Sequence, residues 1–153
     1  MNNLVGLAAT HQVAYAAIWL ANIMYLAGLF PQIRMNYRLK SARGLSDFMI
    51  VGFIFGYLTQ IIFVFALAMP LPYKILLPLG LCGTLVIATQ RLLYHTLRAS
   101  WLFLGLSIAS WVLALSGIPF AIKYPERAGH IFGWISTATW AVYQIPQAIK
   151  MYI

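Results

Sequence analysis

The stretch from Gly28 to Phe48 reads GLFPQIRMNYRLKSARGLSDF. It ends an apolar segment with a proline and a glutamine, which are followed by a run of positively charged residues. Proline has no N–H, and its ring clashes with the carbonyl four residues earlier, so Pro31 predicts a kink that frees the carbonyl of Ala27. In hydrocarbon, a freed carbonyl has to face protein or water. The stretch therefore predicts a bent membrane helix whose kink faces a cavity.

The composition supports a membrane location for the whole chain. Of its 153 residues, 63% are apolar and 8% are charged, whereas a soluble domain carries about 25% charged residues. A bilayer core about 30 Å thick needs roughly 20 apolar residues in a helix. Five runs qualify, and they predict an all-α polytopic membrane protein with five transmembrane helices: 13–33, 48–69, 73–89, 101–122 and 131–149.

The positions of the Lys and Arg residues predict an orientation, because cytoplasmic loops are enriched in these residues. One side of the predicted membrane carries most of them: Arg34, Arg38, Lys40, Arg43, Arg91, Arg98 and Lys150. The other side carries Lys74, Lys123 and Arg127. The bias predicts an amino terminus outside, and the small size and minimal loops favour a bacterial inner membrane over an organelle.

The last residues, YQIPQAIKMYI from Tyr143 to Ile153, repeat the start of the motif that contains Pro31 and Gln32. Placing Pro31-Gln32 on Pro146-Gln147 also brings aromatic and polar residues together: Trp19 with Trp134, Asn22 with Thr137, and Tyr25 with Trp140. Spans 1 and 5 then share an orientation, as parallel repeats do. The predicted organisation is a first triple-helix repeat at 1–95, a linker helix and loop at 96–128, and the first helix of an incomplete second repeat at 129–153.

The phrases FPQIRMNYRLKSARGLS and IPQAIKMYI resemble the motifs of the PQ-loop, or SWEET-like, transporter superfamily. This family includes SWEET and bacterial SemiSWEET sugar transporters and cystinosin, and its pattern is Pro-Gln followed by Lys-Ser-x-x-Gly-x-Ser. The first copy matches at Pro31, Gln32, Lys40, Ser41, Gly44 and Ser46, and the second at Pro146 and Gln147. Because members with two motifs have seven helices, the resemblance implies that two helices are missing. The first triplet resembles a SemiSWEET unit, and such units act in pairs, so we expect a homo-oligomer.

Two sets of residues are candidates for the site. The resemblance implies a gating hinge at Pro31, Gln32, Pro146 and Gln147, although proline is also ordinary in membrane helices. One face of span 1 and its counterpart in span 5 predict a substrate pathway lined by Trp19, Asn22, Tyr25, Trp134, Thr137 and Trp140. Aromatic faces with a few amides and hydroxyls suit a sugar or the carbon body of an amino acid. The alternative is that these residues anchor the helices or pack them together.

Asp47 is the acidic candidate for proton coupling, since it follows the Gly-Leu-Ser of the motif, close to where cystinosin-like members carry an acidic residue. Its alternative role is a carboxylate in the first helical turn, favoured by the helix dipole, with Ser46 as N-cap. The histidines show no metal-ligand spacing, and the sequence has no nucleophile–base pair or phosphate loop. We therefore expect no metal, no cofactor and no enzymatic activity.

These observations predict a transporter that moves a small polar solute by alternating access as a dimer. Its expected partners are the lipid bilayer, the solute and a second copy of the chain. Nucleic acid is not expected, because the cations lie between apolar runs rather than in one patch. The alternative is a non-transporting accessory or scaffold protein of the same family, and a third, weaker alternative is a degenerate relic.

Overall fold

The structure is a computed structural model that describes residues 2–42, 44–94, 97–143 and 145, with side chains described from 12 onward except at 97–100. Within these ranges every regular element is a helix. The helices are α1 (Asn2–Ala27), α2 (Leu29–Leu39), α3 (Asp47–Ala66), α4 (Leu71–Leu93), α5 (Leu97–Ser116), α6 (Ile118–Lys123) and α7 (Pro125–Val142).

Four helical stretches in the described part are long and apolar enough to cross a bilayer: Gln12–Leu39, Asp47–Ala66, Leu71–Leu93 and Trp101–Lys123. The chain is therefore a multi-pass integral membrane protein. The fifth predicted span, 131–149, overlaps α7, but its last part lies outside the described residues. A fifth crossing and the parallel repeat stay predictions.

Several predicted boundaries were wrong. The first span continues to Leu39 instead of ending near residue 33. Pro125 and Glu126, which fall in the predicted linker and loop at 96–128, form the first turn of α7, where proline is tolerated because the first N–H groups of a helix have no partner inside it. The third span, predicted at 73–89, is the longer helix α4, which contains Pro78 and continues through it.

The first crossing is interrupted one turn before its proline. The interruption falls at Gly28, between α1 and α2, while Pro31 is the third residue of α2. Pro31 cannot donate a hydrogen bond to the carbonyl of Ala27, so the helical ladder fails next to that residue. The N–H of Gly28 still donates to the carbonyl of Met24 at 3.1 Å, and the backbone angles of Gly28 stay in the right-handed helical region.

Contacts between side chains give the direction of each helix around the central helix α3. Asp47 meets Arg91, and Tyr57 meets Gly80, so α3 and α4 are antiparallel. Leu29 meets Gly83 and Gln90 bonds to Ile33, so the first crossing is parallel to α4. The packing order of the first three crossings is consequently first, third, second, because α4 packs against both α1 and α3.

The interface between α3 and α7 is built from glycines on both helices. A Cβ atom on Gly52 would lie 2.8 Å from Cβ of Tyr143, and one on Gly129 would lie 2.4 Å from the side chain of Leu67. Gly52 and Gly56 are four residues apart, a spacing that indicates tight helix packing or dimerisation, and in this chain they pack against α7 and Tyr143. Residues 52 to 67, in and just after α3, meet residues 143 to 129, in and just after α7, in reverse order, so these helices are antiparallel. It follows that α7 runs in the same direction as α1.

Candidate solute cavity

A cavity of about 290 Å³ lies among α1, α3, α4 and α7, near the middle of the predicted crossings. We call it the central cavity. Three of the six residues predicted for the substrate pathway, namely Asn22, Tyr25 and Trp140, line it. The complete lining is Ala21, Asn22, Tyr25, Tyr57, Gln60, Leu77 and Trp140.

The aromatic wall of the central cavity is centred on Trp140. Its ring packs edge-on against Tyr25 and Tyr57, with ring centroids 5.8 and 5.3 Å apart. Phe53 and Tyr143 pack against the same ring at 5.6 and 5.2 Å. Such edge-to-face pairs are each favourable beyond the burial of area. A ring with four aromatic neighbours is held in one orientation, so Trp140 is a fixed surface against which a solute can stack.

Two amides supply hydrogen-bonding groups to this aromatic wall. Asn22 Nδ2 donates to the carbonyl of Ile18 at 2.8 Å, and the Oδ1 of Asn22 takes no part in that bond. Gln60 Oε1 accepts a hydrogen bond from the Trp140 indole N–H at 3.0 Å. Amide groups both donate and accept. The cavity can therefore bind a polar solute through hydrogen bonds while its rings contact apolar faces of the same solute.

A second cavity of about 360 Å³ lies between α3 and α7, and we call it the vestibule. It contains two further predicted pathway residues, Trp134 and Thr137. Trp134 is 76% exposed, and Thr137 donates to the carbonyl of Gly133 within its own helix. The complete lining is Gln60, Phe63, His130, Gly133, Trp134, Ser136, Thr137 and Trp140. Gln60 and Trp140 are the two residues that both cavities share.

The remaining predicted site residues are not at these cavities. Trp19 lines a separate depression on α1 with Gln12 and Leu20. Pro31 is exposed on a depression of the outer surface beside Arg34. Gln32 does not reach the carbonyl of Ala27; its Nε2 donates to Asn36 Oδ1 at 2.8 Å. Pro146 and Gln147 lie outside the described residues.

The opposite end of α3 carries a dense polar cluster. Arg91 binds Asp47 with two parallel hydrogen bonds, of which Nη2 to Oδ2 measures 2.9 Å. Arg91 was assigned to a loop in the orientation argument, but it is a buried residue of α4. Its neighbour Gln90 donates to the carbonyl of Ile33 at 3.0 Å. Together these bonds fasten α2 and α3 to the end of α4.

Sequence reasoning missed Tyr57 and did not place Gln60 among the predicted pathway residues. Tyr57 is an aromatic residue in an apolar run, so its local pattern was that of an ordinary core residue. Arg91 was missed as the partner of Asp47 because a cation at the end of an apolar run has the pattern of a loop charge. For Tyr57 and Gln60 a signal existed, because they lie three residues apart and share a helical face.

Charge is scarce at both cavities. Neither lining contains Lys, Arg, Asp or Glu, and the vestibule lining contains one histidine, His130. Among the described residues, no group of three or more His, Cys, Asp and Glu side chains could hold a metal ion. The arrangement offers stacking surfaces and neutral hydrogen-bonding groups.

The apolar crossings and the cavity between them place the chain in the class of multi-pass integral membrane proteins. Residues 13–73 match a family model described as the PQ loop repeat. The chain therefore carries a PQ-loop repeat that covers the first two crossings and the start of α4, and the resemblance to that superfamily is confirmed. No curated protein and no solved structure matches the chain.

Proposed function

We propose that the chain is a transporter that moves a small neutral polar solute across the membrane by alternating access. The observation that carries the proposal is the central cavity, in which Trp140, Tyr25 and Tyr57 form aromatic walls beside the amides of Asn22 and Gln60. Its volume of about 290 Å³ is close to the lower limit of ligand cavities, which run from about 300 to 1,000 Å³. It suits a solute the size of one monosaccharide or one amino acid.

The absence of charged side chains from the central cavity lining favours a neutral solute. A zwitterionic amino acid would leave water for a site with no counter-charge, and an uncompensated charge is costly to bury. A sugar needs only hydrogen bonds and stacking surfaces, and the lining supplies both. We therefore place a sugar ahead of an amino acid as the solute.

The two ends of the pathway differ in a way that supports alternating access. The vestibule continues from Gln60 towards the carboxyl end of α3, while the Asp47–Arg91 pair binds the helices together at its amino end. In the orientation predicted from loop charges, the fastened end is cytoplasmic and the vestibule is outside. The first crossing is interrupted at Gly28, one turn before Pro31 and near the fastened end, where a hinge would have to act.

A second copy of the chain would complete the pathway. The most apolar part of the first crossing contains no buried residue, and the one buried side chain of Gln12–Leu39 is Asn36, near its end. Asn22 is only partly buried, and Tyr25 is 44% exposed. A polar group facing hydrocarbon is unfavourable, so we propose that a second copy covers this side of the central cavity. The molecular mass in detergent, measured by light scattering, tests this point.

Uptake into vesicles containing purified protein tests transport. We expect uptake of a neutral sugar above that of empty vesicles, and a marked loss with Asn22→Ala or Tyr25→Ala. Cys82→Ser is the matched control, because Cys82 lies outside both linings. Uptake equal to that of empty vesicles over a panel of sugars and amino acids would favour the alternative, a non-transporting accessory or scaffold protein. The small volume of the central cavity is the observation that keeps this alternative open. Neither function is enzymatic.

A further inference from the structure

Gln60 and Trp140 stand between two cavities that lie in series along α3. The central cavity is at the level of Tyr57, and the vestibule is at the level of Phe63, one to two turns further along the same helix. Gln60 lies between these two levels. It reaches across to α7, where its Oε1 accepts the indole N–H of Trp140 at 3.0 Å.

This hydrogen bond has one rigid partner and one adaptable partner. Trp140 is held by rings on several sides, including Tyr57 at 5.3 Å and Tyr143 at 5.2 Å. Gln60 is a partly buried side chain on three rotatable bonds, and no bond of its Nε2 is found in the described part of the chain. Opening a path between the cavities therefore requires Gln60 to rotate away while Trp140 stays in place.

We propose that the Gln60–Trp140 hydrogen bond is the constriction between the vestibule and the central cavity, and that Gln60 is a specificity-determining residue of this constriction. A solute hydroxyl can donate to Gln60 Oε1 in place of the indole and accept from Gln60 Nε2, because an amide offers both groups side by side. Solutes with adjacent donor and acceptor groups pass by exchanging one hydrogen bond for another. Apolar solutes of the same size break the bond without replacing it.

The inference rests on the proposed function, but its test needs no solute. Cys82 is the single cysteine of the chain, so Cys82→Ser gives a background without thiols. Leu77→Cys then places a thiol on the wall of the central cavity, and Thr137→Cys places one in the vestibule. The rate at which each thiol reacts with a small, water-soluble methanethiosulfonate reports access to each cavity separately.

With the constriction intact, we expect the thiol from Thr137→Cys to react quickly and the thiol from Leu77→Cys to react slowly. Gln60→Met removes the acceptor and Trp140→Phe removes the donor, and each should speed labelling at position 77 by roughly three- to tenfold, the factor that one neutral hydrogen bond contributes to an opening equilibrium. Gln60→Glu keeps an acceptor and should stay slow. Trp134→Phe, which changes the vestibule outside the pair, should also leave this rate unchanged.

Equal rates at position 77 in the parent, Gln60→Met and Trp140→Phe backgrounds would overturn the constriction. The thiol from Thr137→Cys serves as the folding control, since its rate should be the same in every background. If purified protein moves no solute but the labelling pattern appears as described, transport fails and the constriction stands. If uptake is found while the labelling rates stay equal, transport stands and the constriction fails.

Discussion

Arg91 and Asp47 form a bidentate ion pair that joins the last turn of α4 to the first residue of α3. The sequence predicts two alternative roles for Asp47, proton coupling or a first-turn carboxylate beside Ser46. The structure adds a third role, because Asp47 is the partner of a buried cation. Arg91 is almost fully buried, whereas the carboxylate is 27% exposed. The pair therefore lies at the edge of the protein interior and fixes how two antiparallel helices meet.

Removing one partner of this pair should destabilise the protein. Arg91→Ala leaves the carboxylate of Asp47 without its partner, and Asp47→Ala leaves a buried guanidinium without its counter-charge. We expect a loss of about 2–3 kcal/mol for Asp47→Ala, below the 3–5 kcal/mol of a fully buried pair because solvent screens this one. Denaturant unfolding in detergent micelles measures this loss of unfolding free energy. The double variant should be less unstable than the sum of the two, and simple additivity would contradict a coupled pair.

Gly80 is a position where the packing leaves no room for a side chain. A Cβ atom there would lie 2.5 Å from the ring of Tyr57, which itself is buried. Gly80→Ala should therefore destabilise the protein by about 1–3 kcal/mol, the usual range for overpacking, and distort the central cavity. Gly105→Ala is the matched control, since nothing lies within 4 Å of a Cβ atom at that site. Equal unfolding free energies for the two variants would show that Tyr57 does not restrict this position.

Pro31 should govern the flexibility of the first crossing. Pro31→Ala restores an N–H that can donate to the carbonyl of Ala27, and the interruption at Gly28 should close into continuous helix. We expect slower solute uptake with unchanged membrane insertion, because the hinge is stiffened and the apolar length is kept. Pro78→Ala, in the continuous helix α4, is the control. Uptake at the parent rate after Pro31→Ala would contradict a hinge at this site.

Gln90 fastens α4 to α2 through the carbonyl of Ile33. Gln90→Met keeps the length of the side chain and removes the amide, so α2 should lose a tie worth about 1 kcal/mol. We expect faster amide hydrogen exchange over residues 30–39. Thr89→Val is the neighbouring control, because Thr89 bonds to the carbonyl of Leu85 within its own helix. If exchange in α2 stays at the parent rate after Gln90→Met, the side chain does not hold these helices together.

The sequence by itself predicted the helical class, the four described crossings and three residues of the central cavity. Apolar runs of bilayer length are a local property, and Pro31 disturbs its own helix wherever that helix packs. The 100° rotation per residue places Asn22 and Tyr25 on neighbouring parts of one helix, which α1 retains.

Tertiary structure decided what those faces meet. Trp19 shares the pattern of Asn22 but lies on another depression, because the register between α1 and α4 sets which turn reaches the cavity. The sequence pattern of Arg91 is that of a loop charge, but the packing of α4 places it beside Asp47. Gln60 lies at the cavities because it bonds to Trp140, eighty residues away. Contacts between distant segments depend on helix order and direction, and neither is encoded in the pattern of any single segment.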